Sequence, residues 1–146
     1  MSESKDYAAF KKHCAQPLDR IDRIENIMVT GMPDINYCMR GVDGWIELKS
    51  PKEPKRETTA LFSQNHKVTQ EQKNWFLQQR NAGGSAYFLI ATDKRWMLIH
   101  GNWADSINEM TVNELVNVSM WHEYRPVKKP SWSELRCKLA NSKTRH

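Results

Sequence analysis

Gly31-Met32-Pro33-Asp34-Ile35-Asn36-Tyr37-Cys38-Met39-Arg40, then Gly41-Val42-Asp43-Gly44, then Trp45-Ile46-Glu47-Leu48-Lys49, is the stretch on which the fold turns. Ile35, Tyr37 and Met39 recur at every second position, with Asp34, Asn36 and Arg40 between them, which is the period of a strand. The glycine-bearing run at 41–44 supplies turn chemistry, and Ile46 and Leu48 resume the alternation. The pattern predicts a β-hairpin with all five apolar side chains in the core. Glu47 and Lys49 are two apart and share a face. Asp34 joins them there if the apolar residues of both strands look into one core. A symmetric four-residue turn at 41–44 would pair Arg40 with Trp45 and Cys38 with Glu47. Asp34 would then sit about 13 Å from Glu47 at the usual rise per residue, too far to share an ion. A skewed or bulged pairing that sets Asp34 opposite Glu47 to Lys49 is therefore expected.

Outward from the hairpin, residues 6–15 carry apolar groups at helical spacing and should form a helix that ends before Pro17. A short strand is expected within 21–30, broken by Gly31-Met32-Pro33. Residues 50–67 are polar, hold Pro51 and Pro54, and carry Lys52, Lys55, Arg56 and Lys67. That is long for a connector and reads as a mobile functional loop. Thr69 suits a helix N-cap, and Gln72 three residues later completes a capping-box pattern. This helix should stop at Gly83-Gly84. Residues 86–92 are continuously apolar, as in a strand covered on both faces, and 96–100 make another strand. Short helices are expected near 103–109 and 111–116, and a last one over 131–141 after Pro130. The order implies an α/β fold in which helices flank a central mixed sheet.

The chain has 146 residues, 39% of them hydrophobic and 27% charged, a size and composition suited to one globular domain rather than a disordered chain. No apolar run approaches the roughly 20 residues of a membrane span, and no apolar block follows the charged N-terminus as in a signal peptide. A cytoplasmic place is the expectation. Cys14, Cys38 and Cys137 are odd in number and show no C-x-x-C spacing, so buried reduced thiols are expected rather than disulfides or zinc. The five histidines show no ligand spacing either. The net charge is +5, yet Arg125 to the end holds seven cations against Glu134 alone, a balance of +6 that leaves −1 for residues 1–124. Residues 125–146 read as a basic C-terminal extension. A cationic end on a near-neutral body suits a polyanion such as DNA, or simply a solvated tail.

Hydrolysis of a phosphodiester needs an attacking water, neutralisation of charge on the phosphate and help for the leaving oxygen. Magnesium can supply all three, and as a hard cation it asks for converging carboxylates with a positive group nearby. Asp34, Glu47 and Lys49 fit that demand. An ordinary cross-strand ion pair on a solvated face is the bland reading of the same residues.

Pro33-Asp34 followed by Ile46-Glu47-Leu48-Lys49 resembles the P-D…(D/E)-x-K signature of the PD-(D/E)XK nuclease superfamily. Within it the chain is most similar to phage VRR-NUC and Holliday-junction-resolvase-like nucleases, on Arg23-Ile24-Glu25-Asn26, Gly31 to Asp34, Gly44 to Lys49, Thr69, Gln72, Trp75 and Gly83. The resemblance implies a restriction-endonuclease-like core over residues 1–124. It also implies Mg2+ (with Mn2+ as a substitute) held by Asp34, Glu47 and the Leu48 carbonyl, with Lys49 orienting water or stabilising the transition state. Gln72 would lean into the same site. Such families add a glutamate from the first helix or strand; Glu3 and Glu25 are the candidates, and Glu25 is preferred. Lys52, Lys55, Arg56, Lys67, Lys128 and Lys129 are expected on DNA phosphates, and Trp45 and Trp132 are candidates for stacking on bases. The expected activity is metal-dependent DNA cleavage selective for branched DNA, by a homodimer. The alternative is a non-catalytic DNA-binding protein that keeps the fold. Sequence-specific restriction is disfavoured for want of a base-reading domain.

Overall fold

The computed structural model describes residues 2–25, 29–63 and 66–141. Asn26 of the resemblance, and Lys143 and Arg145 of the basic end, lie outside them. The elements in chain order are α1 (Glu3–Cys14), β1 (Arg20–Arg23), β2 (Ile35–Met39), β3 (Val42–Lys49), α2 (Gln70–Asn81), β4 (Ala86–Ala91), β5 (Arg95–His100), α3 (Val112–Val118), β6 (Trp121–Tyr124) and α4 (Lys129–Leu139), with two short 3-10 turns between β5 and α3. The strands form one six-stranded sheet in sequence order. Only β3 and β4 run parallel among its neighbours, with α2 as the crossover between them.

Helices cover both faces. Phe10 and Cys14 of α1 and Trp132, Leu135 and Leu139 of α4 meet Ile35, Tyr37, Met39, Ile46 and Leu48 on one face. Phe76 of α2 and Leu115 of α3 meet Phe88, Ile90, Met97 and Ile99 on the other. The α/β fold with a central mixed sheet flanked by helices is the one the sequence predicts. The stretch from Arg125 packs into it. Trp132 and Leu135 are core residues, and two of its cations are engaged by acids of the body. Arg125 bonds Asp6 at 3.0 Å, and Arg136 bonds Asp19 at 2.7 Å.

The hairpin corrects one detail. Its loop is not the four-residue run 41–44 but Arg40-Gly41, with Met39 opposite Val42 and Ile35 opposite Ile46. Both loop residues have positive φ, 55° and 78°, the signature of the tight turn whose twist matches the strands it joins. No bulge or skew is needed: shortening the turn moves the register until Asp34, one residue before Ile35, stands across from Glu47. That register is held by burial. Ile46 and Leu48 are fully buried, each worth about 1.5–3 kcal/mol relative to exposure, and a one-residue slip would turn both to the wrong face. Arginine is a poor occupant of the left-handed region, whereas asparagine tolerates it. Arg40→Asn should therefore stabilise the protein by about 0.5–1 kcal/mol in urea denaturation. A loss would mean that the arginine side chain itself holds the turn.

Four other expectations change. Helix α1 begins at Glu3, because Ser2 caps it through Lys5 N–H. The long segment after β3 is anchored rather than loose: Leu61 and Phe62 are buried, Leu61 N–H bonds the Met110 carbonyl, and Asn108 holds both backbone groups of Val68 at 2.8 Å. Strand β6 is not among the expected elements. The cysteines are free, but only Cys14 of them is buried, with its thiol pushed up to about 12 by burial. Among the described residues no helix is long and apolar enough to cross a membrane.

Candidate active site

At the C-terminal end of β3 the ladder with β2 has stopped at Ile35–Ile46, so the next backbone groups on that edge face Asp34 instead of a strand. Leu48 N–H donates to Asp34 Oδ1 at 3.0 Å. A strand residue sends its N–H and C=O to the same edge, so the Leu48 carbonyl opens there too. Gly31 brings the preceding loop in. Its φ is +83°, and a Cβ there would fall 2.3 Å from the Glu71 carbonyl oxygen in the first turn of α2. The loop that delivers Asp34 is thus laid directly against the start of the helix that carries Gln72.

Glu47 and Lys49 point to the α2 side of the sheet, yet neither is solvated: they are 8% and 7% exposed. Lys49 Nζ lies 3.6 Å from Glu47 Oε2, 3.4 Å from Gln72 Oε1 and 3.5 Å from the Lys67 carbonyl. Gln72 closes the group by donating Nε2–H to Glu47 Oε2 at 3.0 Å. The same side chain accepts from Thr69 N–H at 3.0 Å, and Thr69 accepts from Gln72 N–H at 3.1 Å, completing the capping box. Capping and site are therefore one arrangement. An amide suits it because it offers an acceptor to Thr69 and Lys49 and a donor to Glu47.

The electrostatics are unbalanced. Burial, then the nearby charge of Asp34, push the Glu47 carboxyl up to about 8, with Lys49 only partly offsetting them. Burial also raises Asp34, against the pull of the Leu48 N–H, and Glu3 adds to it. A buried charge pair rarely improves stability over apolar side chains of the same size. Two acids pressed together with one lysine are costlier still, and such groups mark sites of chemistry. Gln72→Glu tests how tightly the group is poised. It keeps the acceptor for Thr69 but replaces the donor on Glu47 with a third carboxylate. Stability should fall by about 2 kcal/mol at pH 8 and recover towards pH 4.5, as the acids take up protons. Urea denaturation at the two values reads it, and equal losses at both would contradict this account.

Five of the expected residues thus converge: Asp34, Glu47, Leu48, Lys49 and Gln72. Glu25 is exposed just past β1, and its charge is not among those that shift Asp34 or Glu47. The glutamate whose charge reaches both Asp34 and Glu47 is Glu3, which pairs with His66 at 3.5 Å. Ser2 was the missed signal: read as an N-cap, it puts Glu3 on the first turn of α1 rather than before it. Among the described residues no three His, Cys, Asp or Glu side chains stand close enough to hold a metal ion. The two converging acids and the free carbonyl edge do offer the hard oxygen donors that a divalent cation takes.

Lys52 and Lys55 line a cleft of about 820 Å3 that continues from Ser50 past Pro51 to His66. Arg56 and Lys67 are exposed on the same segment. Lys128 and Lys129 are exposed at the start of α4, on the other face of the sheet. Trp45 is half-buried edge-on to Trp75 at 5.5 Å, while Trp132 is 5% exposed and belongs to the core.

No protein-family model and no curated protein matches the sequence. Among solved structures the fold matches the Holliday junction resolvase Hjc of the archaeal hyperthermophile Archaeoglobus fulgidus, with a TM-score of 0.51 and 16% identity. The match covers 79% of this chain and 88% of that one. At that identity the likeness is one of fold: the restriction-endonuclease-like α/β core expected from the sequence is the one observed.

Proposed function

We propose that this chain is a divalent-metal-dependent DNA endonuclease of the PD-(D/E)XK type, in the neighbourhood of the phage VRR-NUC and junction-resolving enzymes, and that it acts inside the cell on branched DNA. The observation that carries the reading is the convergence of Asp34, Glu47 and Lys49 in a site too dry for their charges to be there for stability. The fold shared with a Holliday junction resolvase supports the choice of branched DNA as substrate.

The Asp34 and Glu47 carboxylates and the Leu48 carbonyl would hold the ion, with Glu3 rather than Glu25 supplying any further carboxylate. Magnesium, or manganese in its place, neutralises phosphate charge and lowers the pKa of a bound water. Gln72 fixes the Glu47 carboxylate, and the Leu48 N–H fixes Asp34, so neither must reorganise when substrate arrives. The Lys49 ammonium is held by Glu47, Gln72 and the Lys67 carbonyl, where it can donate to a phosphate oxygen. Lys52, Lys55, Arg56 and Lys67 would take the DNA backbone beside the site. Two cuts across a junction need two such sites, which a homodimer provides.

Cleavage of labelled duplex, single-stranded, flap and four-way-junction DNA with magnesium tests the reading. The expected result is cutting that prefers the branched forms and disappears in both Asp34→Asn and Lys49→Ala. Binding without cutting on any substrate would instead identify a non-catalytic DNA-binding protein.

A further inference from the structure

On the face of the sheet away from Glu47, helices α1 and α4 leave a pocket of about 460 Å3 between them. It is lined by Ala9 and His13 of α1, Trp96 of β5, and Arg125, Val127 and Trp132. Trp96 and Trp132 lie beneath it, both buried, their rings 5.1 Å apart and steeply inclined. The His13 imidazole stacks on Trp132 at 5.7 Å, and the Arg125 guanidinium lies 5.2 Å over Trp96. The surfaces left open are the exposed His13 ring and the part-exposed, flat Arg125 guanidinium, each laid over a buried tryptophan, and such planes favour a planar heteroaromatic guest.

The rim adds charge. Lys5 lies one helical turn before Ala9 and Lys12 three residues after it; Lys128 and Lys129 lie four and three residues before Trp132. These spacings put each lysine beside a lining residue, and all four are exposed. Of the nearby acids, Asp6 is engaged by Ser50 and Arg125, and Glu123, opposite Trp96 in the sheet, offsets only part of the four lysine charges. Core packing accounts for the buried tryptophans. It does not account for an open pocket with His13 and Arg125 at its surface and four lysines around it.

We propose that this pocket is a second nucleic-acid contact, in which an unpaired nucleobase lies against His13 and Arg125, above the two buried tryptophans, while its flanking phosphates rest on Lys5, Lys12, Lys128 and Lys129. The inference rests on DNA as the partner, under the reading above, but not on cleavage. It gives the chain a means of preferring DNA with extrahelical or unpaired bases at a place remote from the catalytic group.

The test is fluorescence anisotropy of labelled DNA in chelator, so that no cutting intervenes. Fully paired duplex, the same duplex with one extrahelical base, and single strand are compared at several salt concentrations. The full chain should bind the two DNAs with unpaired bases about tenfold tighter than the perfect duplex, a factor within the range of one stacked base. Ala9→Gln, which fills the pocket without adding charge, should remove that preference. Ala8→Gln, at the exposed neighbouring position, should keep it. Lys128→Ala/Lys129→Ala should weaken the two DNAs with unpaired bases more than the perfect duplex and flatten their salt dependence by about two phosphates' worth. Equal binding of the three DNAs by the unaltered chain, or a preference that survives Ala9→Gln, overturns the pocket while leaving the nuclease reading to the cleavage assay. Failure to bind any DNA overturns both.

Discussion

Glu47→Gln is expected to raise thermal stability at pH 8 and above while abolishing metal-dependent cleavage. The Glu47 carboxyl sits at about 8 in the folded protein against an ordinary 4.5, chiefly because burial strips its water and secondarily because Asp34 repels it. Below pH 4.5 the group is protonated whether the chain is folded or not, and it makes no difference to stability. Between 4.5 and 8 the unfolded chain releases the proton while the folded one keeps it. The folded state then binds more protons, and stability falls as pH rises. Above 8 the folded protein carries the full cost. At about 1.36 kcal/mol per pKa unit this is on the order of 5 kcal/mol, with little solvent screening for a side chain 10% exposed. Asp34, raised in the same direction, adds to the slope. A neutral amide avoids the cost and still accepts from Gln72. The gain in melting temperature should be absent near pH 4.5 and reach on the order of 10 °C at pH 9 in chelator. Magnesium should narrow the gap by stabilising the unaltered protein alone. A substituted protein that melts lower, or by the same margin at every pH, would defeat the argument.

Lys49→Ala should lower the cleavage rate by about two to three orders of magnitude, the usual effect of removing one preorganised donor from developing negative charge. It should leave magnesium binding in place. The lysine is a cation and cannot ligate the ion, so the rise in melting temperature on adding magnesium should persist in Lys49→Ala and vanish in Asp34→Asn. The substitution also removes the positive charge that holds the Glu47 carboxyl down. Without the metal, the pH-dependent loss of stability should therefore extend to higher pH. Single-turnover cleavage beside melting curves separates the two roles. If Lys49→Ala cut at the normal rate, the lysine would be a structural counter-ion only.

Much of this was legible in the residues themselves. The alternation of Ile35, Tyr37 and Met39 with Ile46 and Leu48 assigned the core face and, by exclusion, put Asp34, Glu47 and Lys49 on the other. Thr69 and Gln72 marked a helix start, because a capping box is satisfied within four residues. The unbroken apolar run of β4 announced a strand covered on both sides. These are local regularities, decided by side-chain period and nearest-neighbour hydrogen bonds.

What the sequence could not decide depended on distant partners. The turns at 40–41 and 41–44 are both plausible locally and leave Ile46 and Leu48 on the same face; the tight turn through Arg40 and Gly41, both at positive φ, is the one that carries Asp34 to Glu47. Strand β6 is four residues long and exists because β5 offers it an edge. Glu3 comes near enough for its charge to act on Asp34 and Glu47 only because α1 is laid across the sheet with its first turn towards the end of β3. The sequence by itself determined which residues could form the charged group and which face they occupy, since chemistry and period are local. Their common point, and the buried setting that lifts Glu47, were decided by the tertiary structure, because desolvation and convergence are properties of segments far apart in the chain.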